Sequence, residues 1–249
     1  MADKEVAAYA LRLGDDALVL SQRLAEWCAD APMLEEDIAI SNVGLDYLGR
    51  ARMLLQYVGA TLGQTEDELA FMRESGQFKN LLIVELPRGD FAFSMLRQYL
   101  IDEFEVLYFA ELTHSQDETL AAVAQKTNKE VAYHLRRSTE WLRRLGLGTS
   151  ESNTRTQAAL DELWGYVREL FLMDELETSL CETGIAVDRL ALESPWRGKV
   201  EEFLTSINLR LPTEDIRQKG GREGVHTEHL GHMLSEMQIM QRSYPGQDW

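Results

Sequence analysis

Leu45-Asp46-Tyr47-Leu48-Gly49-Arg50 and Lys129-Glu130-Val131-Ala132-Tyr133-His134 are the two stretches on which the interpretation of this chain depends. Each stretch lies midway along a long helical pattern. Positions 47 and 50, like positions 131 and 134, are three residues apart and therefore share one face of their helix. We take these two faces as the candidate centre of the fold.

Apolar residues recur at helical spacing over nearly the whole chain. On the first helix they form one stripe of Val6, Ala10, Leu13, Ala17, Leu20, Leu24 and Trp27. Further helices are predicted at about 34–62, 91–114, 118–145, 154–182, 195–209 and 227–242, whereas the run 81–84 could be extended. Long helices with short connections are typical of a bundle. We predict an all-α protein with a single domain over 1–249, with a core bundle at about 5–146 and additional helices at about 154–242.

The second helix is apolar on two sides. One stripe comprises Leu34, Ile38, Leu45, Leu48 and Leu55, and the other comprises Val43, Tyr47, Leu54 and Tyr57. Such a helix lies between neighbouring helices, or between its own bundle and another chain.

The composition limits the classes of partner. The chain has 249 residues, enough for a full core, and a net charge of −17. This acidity argues against nucleic acid and against an anionic membrane surface. It favours solubility or a partner with a basic docking surface, and many cytosolic helical proteins are equally acidic.

We also expect a cytoplasmic protein. The start shows no basic segment followed by an apolar run, and no apolar stretch reaches the length of a membrane span. Cys28 and Cys181 have no Cys or His neighbour at zinc spacing, so we predict two reduced core residues.

A series of short motifs is spread along the chain. They are Ala10-Leu11-Arg12-Leu13-Gly14-Asp15, Glu26-Trp27-Cys28, Asn42-Val43-Gly44-Leu45-Asp46, Gln98-Tyr99-Leu100-Ile101-Asp102, Tyr133-His134-Leu135-Arg136, Glu182-Thr183-Gly184-Ile185-Ala186-Val187-Asp188, His226-Thr227-Glu228-His229-Leu230-Gly231 and the ending that closes on Pro245-Gly246-Gln247 and Trp249. Through these motifs the chain resembles the PaaC-type subunits of phenylacetyl-CoA ring epoxidase over essentially its full length.

The resemblance implies a ferritin-like helical bundle within a multicomponent oxygenase of aerobic phenylacetate catabolism. In that family the di-iron centre sits in a homologous catalytic subunit, and the PaaC-type chain pairs with it as a structural partner. The complex epoxidises the ring of phenylacetyl-CoA with O2. Electrons come from NADPH through a separate reductase that carries flavin and an iron–sulfur centre.

A ferritin-like di-iron site needs a lone carboxylate on each of two helices and a Glu-x-x-His pair on each of the other two. Tyr47 and Arg50 stand at one pair of these positions, Val131 and His134 at the other, and Asp102 at a carboxylate position. Since none of the five histidines lies in the first two helices, one required motif cannot form there. We therefore expect no metal, no cofactor and no catalytic residue in this chain.

Two literal Glu-x-x-His strings do occur. Glu111 and His114 stand at the end of the third helix, and Glu223 and His226 stand on either side of Gly224. Neither lies mid-bundle, where ligands belong. His134, on an inward stripe, is either a satisfied core histidine or a remnant of the metal site.

Asp102 sits in a polar row with Gln98 and Glu105 on an otherwise apolar helix. A buried carboxylate is costly unless it is paired. We predict a buried ion pair of Arg50 with Asp46 or Asp102. The alternative is that the Arg50 side chain extends to the surface.

His226, His229 and His232 follow one another at a spacing of three residues. Neighbouring pairs could reach one zinc ion, but the full set spreads around the helix. The alternatives are capping and polar contacts at the start of the last helix, or an interface role that Trp249 would share.

Three classes of function stay open on sequence. The first is a non-catalytic subunit that stabilises and positions an iron-bearing partner, with a homo-oligomer of the isolated chain also open. The second is a di-iron oxygenase with its own metal centre. The third is a CoA-thioester binding module that would use Arg136-Arg137 and Arg143-Arg144, although such clusters are more often a solvated helix face.

Overall fold

The computed structural model describes residues 2–213 and 218–247. These residues form eleven α-helices: α1 (Ala2–Ala25), α2 (Leu34–Leu62), α3 (Glu66–Phe71), α4 (Leu82–Glu85), α5 (Phe91–Leu112), α6 (Glu118–Leu147), α7 (Ser150–Leu163), α8 (Glu175–Glu182), α9 (Arg189–Ser206), α10 (Glu228–Met237) and α11 (Ile239–Ser243). Short 3-10 helices cover Ser75–Gln77, Trp164–Phe171 and Gly221–Glu223. The two described ranges contain no strand, and the all-α prediction is confirmed. None of their helices is long and apolar enough to cross a membrane.

The chain divides into two compact units. The first comprises Met1–Pro87 and Lys219–Trp249, and the second comprises Arg88–Gln218. The interpretation as a single domain with a core bundle at 5–146 stays a prediction.

In the first unit, α1 and α2 pack against each other through the stripe predicted on α1. Every member of that stripe is buried, including Trp27, which lies just beyond the end of the helix. The helix α2 ends at Gly63, whose φ of +72° suits a glycine in the left-handed region. Its N–H donates to the Gly59 carbonyl oxygen at 2.8 Å.

The two stripes of α2 differ in burial. Val43, Tyr47 and Leu54 are buried, and Leu55 joins them on the covered side. Three members of the other stripe are exposed to solvent, at 72% for Leu34, 54% for Ile38 and 62% for Leu45. The helix therefore buries one apolar face in its own unit and leaves a second one uncovered.

The run 81–84 is not extended, which corrects the prediction. Residues Leu82–Glu85 form the helical turn α4, and all four of its side chains are buried. A short apolar run that is buried on every side lacks the periodicity that separates a strand from a helix.

In the second unit, α5 is buried almost all round, as predicted, and α6 packs along it. The inward stripe of α6 is buried from Ala124 through Ser138. At its far end Trp141 and Leu145 are half-buried, and Leu142 and Gly146 are buried instead.

The helix predicted at 154–182 is three elements rather than one. After α7 the chain tightens into the 3-10 helix Trp164–Phe171, which buries side chains at the three-residue spacing of that helix type. The Asp174 side chain then accepts a hydrogen bond from the Glu177 N–H at 3.0 Å and starts α8.

The next helix was predicted to start at Pro195. It begins six residues earlier, at Arg189. Asp188 caps α9 by accepting from the Ala191 N–H at 3.2 Å. Pro195 therefore lies inside α9. A proline there gives up one backbone hydrogen bond, and the Asp188 cap, with the buried pair of Arg189 with Glu177 at 2.5 Å, holds the start of α9.

The predicted last helix is divided at Gln238 into α10 and α11. The Gln238 side chain is buried, and its Nε2 donates to the carbonyl oxygens of Ala70 at 3.1 Å and Arg73 at 3.0 Å. These contacts hold the junction of α10 and α11 against the end of α3 and the loop that follows it.

Both cysteines are free thiols, but the prediction that both are core residues is wrong for Cys28, which is exposed. Cys181 is half-buried, and its Sγ donates to the Ala186 carbonyl oxygen at 3.3 Å. Burial raises the pKa of the Cys181 thiol, followed in effect by the nearby charges of Asp188 and Glu177.

Candidate functional site

Tyr47 and Arg50 lie together on the buried face of α2. Tyr47 is fully buried and Arg50 is only 2% exposed. The guanidinium carbon of Arg50 lies 4.5 Å from the centroid of the Tyr47 ring, within cation–π range. The alternative in which Arg50 reaches the surface is therefore wrong, because the helix face that carries it is covered.

The predicted ion pair of Arg50 with Asp46 or Asp102 stays a prediction. Asp46 is half-buried on α2, whereas Asp102 is fully buried on α5 in the second unit.

Asp102 is held by two neutral side chains. Gln98, one turn earlier on α5, donates from Nε2 to Asp102 Oδ1 at 2.6 Å. Ser138 of α6 lies with its Oγ 2.7 Å from Asp102 Oδ2 and 3.2 Å from the Leu135 carbonyl oxygen. A hydroxyl carries one proton, so when Ser138 donates to Leu135 it accepts from a protonated Asp102.

Burial raises the pKa of Asp102 to about 8. The hydrogen bonds from Ser138 and Gln98 oppose this rise, the charge of Glu105 adds to it, and that of Arg137 also opposes it. At pH 7 the raised pKa therefore favours the neutral carboxylic acid over the carboxylate. The predicted polar row of Gln98, Asp102 and Glu105 is buried.

Val131 and His134 share the buried face of α6, at 0% and 1% exposure. Arg137, one turn further on, lies with Nη1 3.6 Å from the sulfur of Met95. The prediction that His134 points inward is confirmed, and its origin as a remnant of a metal site stays a prediction.

The residues at these positions do not fit a di-iron centre. Val131 has no donor atom, and the Arg50 guanidinium keeps its proton at any physiological pH. In the described parts of the chain, no three His, Cys, Asp or Glu side chains are grouped so that they could hold a metal ion.

The two literal Glu-x-x-His strings do not form sites either. Glu111 and His114 are both exposed at the end of α5. In the second string Glu223 is exposed, whereas the His226 ring turns away into its own unit.

His226 joins a buried polar cluster around Glu85. Its Nδ1 lies 2.7 Å from Glu85 Oε2, and its Nε2 lies 2.9 Å from the Phe78 carbonyl oxygen. Glu85, fully buried, also accepts from the Thr227 N–H at 2.6 Å and from Asn80 Nδ2 at 2.8 Å. The polar-contact interpretation therefore describes His226, which corrects its assignment to an interface.

The pKa of His226 is raised in this cluster. Burial of the ring lowers the pKa, but the hydrogen bonds to Glu85 and to the Phe78 carbonyl, with the Glu85 charge, outweigh burial. The imidazolium form is therefore favoured beside the Glu85 carboxylate.

The other two histidines of the predicted interface differ in exposure. His232 is exposed and His229 is half-buried. The His229 carbonyl oxygen accepts from Arg23 Nη2 at 2.9 Å. Trp249 lies outside the described residues, and an interface role for His229, His232 and Trp249 stays a prediction.

Sequence reasoning missed two residues that organise these clusters. Ser138 was not singled out from the sequence, although a hydroxyl on an inward helix face signals a buried polar partner. Glu85 went unnoticed at the end of the apolar run from Leu81, where a lone carboxylate is the same kind of signal.

A protein whose described residues form helices and no strand, and whose buried helix faces carry Tyr47, Arg50, Val131 and His134, is a helical-bundle protein without the Glu-x-x-His ligand pairs. Comparison with known proteins narrows this class. The model of the phenylacetic acid catabolic protein family matches residues 1–249. The chain belongs to this family, and a ferritin-like bundle is consistent with it.

A curated relative supports the same assignment. Over 246 residues the chain is 50% identical to a protein of Escherichia coli (strain K12) that is named as one of the subunits of 1,2-phenylacetyl-CoA epoxidase. The match covers 98% of this chain and 99% of that protein. The family resemblance inferred from the sequence is thereby confirmed.

Proposed function

We propose that this chain is a non-catalytic subunit of a multicomponent oxygenase that epoxidises the ring of phenylacetyl-CoA in aerobic phenylacetate degradation. In this role it pairs with a homologous iron-bearing subunit and stabilises it. The observation that carries the proposal is the identity of the buried side chains at the two central pairs, Tyr47 with Arg50 and Val131 with His134.

The chemistry of these side chains supports a role without iron. Arg50 contributes a fixed positive charge against the Tyr47 ring, in a place where a di-iron relative would carry a ligand pair. Asp102 retains a carboxyl group, but both of its oxygens are already hydrogen-bonded, one to Gln98 and the other to Ser138. The second pair, Val131 with His134, keeps a single histidine.

The relative's name supports membership of an epoxidase complex. On this proposal the di-iron centre belongs to the partner subunit, and NADPH, flavin and an iron–sulfur centre belong to a reductase. The chain itself carries no cofactor and works in the cytoplasm with the other subunits of its complex.

Reconstitution tests the proposal. The iron-bearing subunit of the same epoxidase is purified alone and together with this chain, and O2 uptake that depends on phenylacetyl-CoA and reductase is measured. We expect the two chains to elute together, the melting temperature of the iron-bearing subunit to rise on binding, and activity to require its iron. Failure to co-elute, or full activity and stability of the iron-bearing subunit without this chain, would contradict the proposal.

A further inference from the structure

The uncovered side of α2 and the residue before it carry four exposed apolar side chains, here named the α2 stripe: Met33, Leu34, Ile38 and Leu45. With 3.6 residues per turn, the three helical members lie within about 40° of one another and project away from buried Val43. They extend over roughly 16 Å of the helix axis. This is the length of a short helix-to-helix contact.

Acidic residues border the stripe. Between Arg23 and Arg50 the sequence has no lysine or arginine, but it has six acids: Glu26, Asp30, Glu35, Glu36, Asp37 and Asp46. Of the neighbouring cations, Arg23 pairs with Glu26, and Arg52 on α2 pairs with Glu66 at 3.0 Å. The stripe therefore combines exposed leucine-type side chains with a surrounding negative charge.

The segment before α2 is fixed in place beside the stripe. The Ala29 N–H donates to Asp37 Oδ2 at 2.6 Å, which ties this segment to the first turn of the helix. Cys28, next to Ala29, is an exposed thiol. The rate at which Cys28 is alkylated can report whether a bound partner covers this end of the stripe.

We propose that the α2 stripe is the surface on which this chain receives its partner, and that the partner's face carries apolar side chains bordered by lysines and arginines. This inference rests on the function proposed above. The charge pattern selects a different chain over a second copy. A symmetric contact between two copies would bring like acidic borders together, which costs binding energy.

Two matched double variants test the stripe. Ile38→Ser with Leu45→Ser removes two exposed aliphatic side chains from it. Leu147→Ser with Leu190→Ser removes two that are similarly exposed, at 53% and 58%, in the second unit. Affinity for the purified iron-bearing subunit is measured by calorimetry, and thermal unfolding checks that each variant folds. We expect the stripe variant to bind about 100-fold more weakly and the control to stay within about threefold of the wild type.

A second arm tests the chemistry of the partner. Glu35→Lys, at an exposed position beside the stripe, should weaken binding at low salt, and the wild-type affinity should fall as salt is added, because rim charges are screened. Alkylation of Cys28 should slow when the partner is bound, whereas half-buried Cys181, with its raised thiol pKa, should keep its rate.

The outcomes separate the two proposals. Tight binding by the wild type together with unchanged binding by the stripe variant would overturn the stripe and leave the partner function standing. No binding by the wild type would overturn the partner function and the stripe with it. A homodimer of the isolated chain that the stripe variant abolishes would overturn the choice of a different, basic partner.

Discussion

Asp102 shows how a single carboxyl group is accommodated inside the second unit. Gln98 and Ser138 satisfy its two oxygens at 2.6 and 2.7 Å, and burial raises its pKa to about 8. In the unfolded chain an aspartic acid has a pKa near 4. The folded protein therefore holds a proton on Asp102, between about pH 4 and 8, that the unfolded chain has lost.

This difference predicts how stability depends on pH. Ionising Asp102 is more costly in the folded state, so its contribution to the free energy of unfolding falls as pH rises, by up to roughly 1 kcal/mol per pH unit. Asp102→Asn removes the titration and keeps a neutral side chain. We expect the stability of the wild type, relative to Asp102→Asn, to decline from pH 5 to pH 8 in denaturant titrations.

The exposed Glu201→Gln is the control for that experiment, because a surface carboxyl group carries no such burial cost. Parallel pH profiles for the wild type and Asp102→Asn would contradict the assignment of a neutral Asp102.

His226 carries the opposite dependence in the first unit. Its pKa is raised above the usual value of about 6.5, so its stabilising contribution is fully present below that pH and is lost as pH rises through the folded pKa. We expect His226→Gln to lower the free energy of unfolding by about 2 kcal/mol at pH 6 and by less at pH 9.

The measurement is chemical denaturation at both pH values, with the exposed His232→Gln as its control. A loss on His226→Gln that is equal at pH 6 and pH 9 would show that the imidazolium–carboxylate contact with Glu85 contributes nothing.

At the scale of single elements, α2 is a helix with two apolar faces and one buried cation. Its inward face places Arg50 over Tyr47. Its outward face carries the α2 stripe. The same helix therefore carries both the positions at which a ligand pair is missing and the surface proposed for the partner.

Arg50→Leu tests the inward face. Truncating one member of a buried charged contact leaves its partner groups unsatisfied, which typically costs about 3–5 kcal/mol. We expect the melting temperature to drop strongly in differential scanning calorimetry. Arg52→Leu, on the exposed side of the same helix, should leave it near the wild-type value.

Equal melting temperatures for the wild type and Arg50→Leu would show that the Arg50 side chain contributes packing on α2 but no stabilising charged contact. That result would also remove the support for an ion pair with Asp46 or Asp102.

Sequence periodicity predicted the long elements well and the short ones poorly. The α1 stripe from Val6 to Trp27 is buried throughout, because a long amphipathic pattern has one energetically favourable orientation. The breaks at Trp164 and Gln238 were missed. They depend on contacts distant in sequence, such as those of Gln238 with Ala70 and Arg73, which no local pattern carries.

The sequence predicted which metal ligands are missing from the candidate site, but not most of the contacts that its side chains make. The missing ligands at positions 47, 50 and 131 can be read directly from the residues. The side chains that contact the remaining polar groups, such as Ser138 of α6 beside Asp102 of α5, come from other helices. Spacing along one helix cannot reveal such contacts. Asp188 at the start of α9 was missed because Pro195 gave the stronger local signal.

At the scale of the whole molecule, the acidic balance of −17 and the uncovered stripe on α2 belong to the same interpretation. Net negative charge opposes association of two copies, whereas a partner with basic groups is attracted by it. On our proposal this chain serves an iron-bearing partner and binds no iron of its own.

Metal content tests that claim most directly. The chain is purified alone from iron-replete cells, its helical circular dichroism is checked, and iron and zinc are measured by plasma mass spectrometry. We predict a folded helical protein with iron and zinc close to zero per chain. About two irons per chain, the number that a ferritin-like di-iron site holds, would contradict the account and indicate an oxygenase with its own metal centre.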